Sequence, residues 1–157
     1  MTMNIEEIFQ KIQLDLDVIK SNQVIRQQYL DLENFIRNKN IKPIYSFSQI
    51  KRNQEFKGLV SETMFFDDQF IYDIVVGVDN IDTHIVLIEH ISKVSVATIP
   101  NYINEKSENG TDIQRVELNS HLTISYQEQS QLFYITPTEK YNELLTIVDI
   151  LTKMIAK

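Results

Sequence analysis

Apolar residues recur at three- and four-residue steps near the start of the chain: Ile5, Ile8, Phe9, Ile12, Leu16 and Ile19. That spacing predicts an amphipathic helix. Asn4 precedes it and Glu7 follows three residues later, a capping arrangement in which Asn4 is expected to accept from the Glu7 backbone N–H. "KSNQ", Lys20 to Gln23, interrupts the pattern. A second, offset stripe follows: Val18, Ile25, Tyr29, Leu32 and Ile36. Either the helix breaks near Ser21-Asn22, or it continues and meets different partners along its length. In the second case Ile25, Tyr29, Leu32 and Ile36 are the candidate stripe for a homodimer. Asn38 to Asn40 and Pro43 end the helical segment.

From Ile44 to Ile135 the period changes to two, the signature of half-buried strands. "PIYSFSQI" and "KGLVSETMFF" read as the first two strands. After the turn "DDQ", "FIYDIVVGV" alternates Phe70, Tyr72, Ile74, Val76 and Val78. "THIVLIEHI" is apolar on both parities, which predicts burial on both faces or cover from the N-terminal helix. "SKVSVATI" follows, then a polar stretch from Asn101 to Asp112 that reads as one long loop, with Asn109-Gly110 as a turn signal. "VELNSHLTISY" places Leu118, Leu122, Ile124 and Tyr126 on one face and Asn119, His121, Thr123 and Ser125 on the other. "QEQS" turns into "QLFYI". About seven short strands result, with no internal repeat.

The chain closes on a second helical pattern. Thr136 is the expected N-cap, Pro137 the first helical residue and Glu139 the capping-box partner. Tyr141, Leu144, Leu145, Val148, Leu151 and Ile155 form the expected buried stripe. Lys140, Asn142, Glu143, Asp149 and Lys153 fall mostly off it. A continuous stripe needs an apolar surface, and the strands offer the only large one.

Composition bounds what such a domain can do. The 157 residues suit a single domain (1–157), divided into a helical segment (1–40) and a strand-rich part with the closing helix (41–157). Acidic residues number 22 against 15 basic, a net charge of −7. That disfavours nucleic acid and leaves membrane contact peripheral at most. The absence of cysteine excludes disulfides, thiolate catalysis and Cys-ligated zinc. The acidic first turns do not read as a signal peptide, and no apolar run reaches membrane-spanning length, so a cytoplasmic protein is expected.

The order of elements resembles the pleckstrin-homology-like superfold, especially its bacterial and GRAM-type members. The residues that carry the resemblance are "FIYDIVVGV", "THIVLIEHI", the bend "EHISKVSV", the hairpin "HLTISYQEQSQLFYI" and the helix "TPTEKYNELLTIVDILTKM". It spans Ile44 to Lys157 and rests on pattern, with no diagnostic motif. The tryptophan common in the last helix of eukaryotic members is absent, and the N-terminal helix lies outside the fold. The resemblance implies an α+β fold, a partly open barrel or sandwich of antiparallel strands capped by the C-terminal helix. It also implies binding over catalysis. In that superfold the ligands are phosphoinositide headgroups held at the first strand loop, or peptides laid beside a strand and the last helix.

Candidate sites follow. "IKRNQEFKG" supplies Lys51, Arg52 and Lys57 for an anion, although Leu59 stands where the family pattern has another basic residue and Glu55 lies inside the loop. The strand near Ser92 to Thr98, with Lys93 and Ser95, and the polar side of the last helix, with Lys140 and Glu143, form a candidate partner surface. His84 and His90 share parity but lie about 20 Å apart on an extended strand, and His121 belongs to another strand, so no metal site is expected. Asp67-Asp68, Asp79 and Asp82 sit in turns that they cap. Three isolated glycines build no phosphate loop, and no nucleophile elbow is present. No cofactor is expected. The sequence therefore predicts a non-enzymatic module for a protein or peptide. The alternatives are a small acidic chaperone or immunity-type neutralising protein, and weak anionic-lipid binding.

Overall fold

The computed structural model describes residues 4–53 and 58–156. Helix α1 spans Ile5–Ile19 and α2 spans Gln23–Arg37. Asn4 is extended and its Oδ1 accepts from the Glu6 N–H at 2.9 Å. This is one residue earlier than the expected Glu7, whose N–H instead donates to the Asn4 carbonyl. Both positions lie in the first turn, where unsatisfied donors converge on the cap.

The helix breaks where the sequence leaves the choice open. Lys20 adopts a left-handed conformation (φ 59°), and the Ser21 N–H donates back to the Leu16 carbonyl at 3.1 Å. The Arg26 guanidinium, one turn into α2, donates to the Leu16 and Ser21 carbonyls at 3.1 Å each. It thereby satisfies acceptors that a helix end leaves bare. Asn22 then caps α2: its Oδ1 accepts from the Ile25 N–H at 2.9 Å, and its Nδ2 donates to Asp79 at 2.7 Å. Asn22→Ala is expected to cost about 1–2 kcal/mol, read as a lower urea midpoint, because the cap and the tie to Asp79 go together.

The two helices run antiparallel, joined by Arg37–Glu6, Gln13–Glu33 and Arg26–Asp17. Their stripes enter one core with Phe65, Tyr72, Ile74 and Val76 of the adjoining sheet. Ile25, Tyr29 and Ile36 are buried there and Leu32 packs against it, so the candidate dimer stripe is committed to the chain's own interior. Val18 does not join them and is exposed. It belongs in phase to α1, two residues beyond Leu16 and so about 200° around the axis.

That sheet is antiparallel in the order β1-β2-β3-β4, with β1 Tyr45–Asn53, β2 Gly58–Phe66, β3 Phe70–Val76 and β4 Ile81–Leu87. Asp67 Oδ1 shapes the β2–β3 turn by accepting from the Gln69 and Phe70 N–H groups. The strands buried on both faces are β2 and β3, not β4. As an edge strand β4 has neighbours on one side only, and Ile85 is 41% exposed.

After a 3₁₀ turn at Ile88–His90 comes a second antiparallel sheet, β5-β6-β7, with β5 Ile91–Lys106, β6 Asp112–Tyr126 and β7 Ser130–Pro137. The expected loop from Asn101 to Asp112 is mostly strand. Pairing runs unbroken to Lys106↔Asp112, and only Ser107 to Thr111 turn, with Gly110 at φ +76°. Beyond Asn119, where β7 ends, β5 and β6 pair only with each other. This free ribbon carries Pro100, Leu118, Tyr102 and Val116 on one face, and on the other Arg115 bridges Glu105 and Glu117 at 3.0 and 3.2 Å. An exposed ribbon buries neither face, which is why its sequence lacks a core-facing alternation.

The last helix also starts later than expected. Thr136 lies in β7, paired with Ser120, and its hydroxyl donates to the Ser120 and Pro137 carbonyls instead of capping. The residue before a proline is driven to extended backbone, which favours the strand. A 3₁₀ turn at Thr138–Lys140 leads into α3, Tyr141–Ile155. Its buried residues are Leu144, Ile147 and Leu151, whereas Leu145 and Ile155 are exposed. The stripe is thus rotated from the expected one, and α3 packs on β5.

The fold is α+β: helices at the N-terminal end, seven antiparallel strands in two sheets not closed into a barrel, and a C-terminal helix. Two compact units, Met1–Ile88 and Glu89–Lys157, divide the chain. The boundary falls inside the segment expected to form one barrel.

Candidate functional site

The two described candidate anion residues do not converge. Lys51 and Arg52 are neighbours on β1 and point to opposite faces. The Lys51 Nζ lies 3.2 Å from Glu62, while Arg52 is exposed. Lys57 lies outside the described residues. Lys93 and Ser95 share one face of β5, where Lys93 is exposed and Ser95 half-buried. Lys140 and Glu143 approach to 3.8 Å at the start of α3.

Lys51 belongs to a polar track that crosses the face of the first sheet turned away from α1 and α2. Gln49 donates to Glu62 at 2.7 Å, and Asp73 meets the His84 Nδ1 at 3.3 Å on the next strand pair. Gln49, Glu62 and Asp73 are buried, and His84 is half-exposed. Burial pushes the Glu62 carboxyl above its ordinary range, Asp73 adds to the rise, and Lys51 and Gln49 oppose it. The Tyr72 hydroxyl on the opposite face is likewise pushed up, to about 12, by burial and by Asp67. Glu62 has its partners within the sheet, so this track is internal wiring. The sequence shows its members as single polar residues inside "SETM" and "FIYD", a signal that alternation alone does not interpret.

A second polar feature lies on the helix-facing side. Ser46 and Ser48 of β1, Thr63 of β2 and Glu7, Ile8 and Lys11 of α1 line a cavity of about 200 Å³. Lys11 on its wall is held by Asp15, which is buried and accepts from Lys11 at 2.5 Å and from the Ser61 hydroxyl at 2.8 Å. The Thr63 Oγ1 is buried and has no hydrogen-bond partner. None of these residues stood out in the sequence. The available signal was the parity of Ser46, Ser48, Ser61 and Thr63, which places four hydroxyls under α1 where a purely structural helix–sheet contact would be apolar.

Among the described residues there is no cluster of acids and histidines able to hold a metal, and no helix is long and apolar enough to cross a membrane. No family model, curated protein or solved structure matches the chain.

Proposed function

We propose that the chain is a non-enzymatic, cytoplasmic interaction module of the pleckstrin-homology-like type that takes an extended protein or peptide segment along β5. The observation that carries this reading is the free edge of β5. The strand runs for 16 residues, is the outer strand of its sheet, and pairs on one side only among the described residues. A bare edge presents alternate N–H and C=O groups, so a partner strand adds by main-chain hydrogen bonds. Ile99 and Tyr102 are exposed on the same strand and offer apolar contacts for alternate partner side chains. Seven antiparallel strands followed by a closing helix support this reading.

Peptides selected from a random phage-displayed library provide the test. They should slow hydrogen exchange at the amides of residues 92–98 and lose binding when their own alternate amides are N-methylated. Protection elsewhere, or indifference to N-methylation, overturns the reading. Binding that collapses with salt while β5 stays unprotected would favour the acidic neutralising protein instead. Flotation on anionic vesicles would favour the lipid reading, which the Lys51–Glu62 pair weakens by occupying one of its cations.

A further inference from the structure

We propose that the cavity between α1 and the β1–β2 edge binds a small molecule carrying a protonated primary amine. Thr63 is 2% exposed and its hydroxyl has no partner, although native folds pair almost all buried polar groups. The carboxylate of Glu7, an exposed residue on the rim, makes no hydrogen bond or ion pair among the described residues. Its natural partner would be Lys11, four residues on, but Lys11 is engaged by Asp15. The lysine and the buried aspartate cancel, and the cavity is left with the Glu7 carboxylate on its rim and the hydroxyls of Ser46 and Thr63 on its wall.

That set discriminates among ligand classes. A protonated amine brings three donors and a positive charge, enough for the Glu7 carboxylate and for hydroxyl oxygens at the wall. An anion would meet Glu7 with no free cation opposite. At about 200 Å³ the cavity falls below the roughly 300–1,000 Å³ of drug-sized sites, so it suits a group of a few heavy atoms with Ile8 against its carbon chain. Such an amine is either a free metabolite or the end of a lysine side chain. The cavity lies on β1 and β2, apart in sequence from the β5 edge, and stands or falls independently of it.

Amide NMR shifts of the isotope-labelled protein decide the matter, with ethanolamine, Nα-acetyl-lysine methylamide and, as the uncharged counterpart, ethylene glycol as probes. Saturable shifts at Ser46, Ser48 and Thr63 are expected with an amine and absent with ethylene glycol. Glu7→Gln, at an exposed position that leaves the core untouched, should weaken binding by about tenfold or more. Thr63→Val keeps the side chain's shape and should weaken it too. Binding of ethanolamine identifies a free amine as the ligand, and binding of the lysine derivative alone identifies a side chain. The proposal is overturned if neither amine gives saturable shifts, if ethylene glycol shifts the same amides equally, or if Glu7→Gln binds as the parent does.

Discussion

Phe65→Ala is expected to lower the stability of the chain by about 3–5 kcal/mol, the usual cost of emptying a buried aromatic site. Phe65 is fully buried at the centre of the core that α1 and α2 form on the first sheet. Its ring stacks on Tyr72 across the β2–β3 pair, centroids 5.0 Å apart and planes 12° from parallel. The truncation removes the transfer energy of the ring and its stacking on Tyr72. Neighbouring backbone is held by strand pairing on both sides, so the space cannot collapse cheaply. Urea unfolding followed by tyrosine fluorescence reads the loss. Phe65→Leu should recover roughly half of it, since the cost scales with the cavity left.

Lys51→Met is the second large effect, expected at about 3 kcal/mol near neutral pH, because it strips from a buried carboxylate the cation that pairs with it among the described residues. Its pH dependence identifies the mechanism. The Glu62 carboxyl is already raised in the folded state by burial. A raised folded value means that the folded form binds the proton more tightly than the unfolded form. The contribution is then fully present below the ordinary carboxylate range and is lost as pH rises through the folded value. Without Lys51 the folded value rises further, so the deficit should vanish under acid conditions and grow toward neutrality. Lys51→Met with Glu62→Leu should restore stability, since a buried pair replaced by apolar groups costs little. A deficit independent of pH would show that Lys51 acts by packing and not through Glu62.

Strands were legible where apolar residues alternate, because alternation records burial. "FIYDIVVGV" was legible although both of its faces are buried, and "HLTISY", with Leu122 and Ile124 buried and Thr123 and Ser125 half-buried, read correctly for that reason. The ribbon beyond Asn119 did not, because it buries neither face and its polarity resembles that of a loop. The start of α3 was obscured by a proline that fits a helix N-terminus and a strand end equally well. The position of β4 at an edge depends on strand order, which no local pattern carries. The same limit governed the sites. Lys51 looked like a ligand residue because its loop is basic, while its partner Glu62 is defined by the β1–β2 register. The cavity needs α1 laid over hydroxyls that are about forty residues away along the chain, a juxtaposition only the folded core creates.

The two units differ in how far apart their contacting residues stand in the chain. In the second, β5, β6 and β7 pair with neighbours close in sequence, the β5–β6 pairing spreads outward from the turn at Ser107 to Thr111, and α3 alone reaches back, to β5. In the first, Ser61 must find Asp15 across 46 residues before α1 can seat on β2. Loop closure of that kind has to be paid in entropy before any contact rewards it. The ribbon can therefore zip from a single nucleus, whereas the seating of α1 on β2 waits on a long-range search.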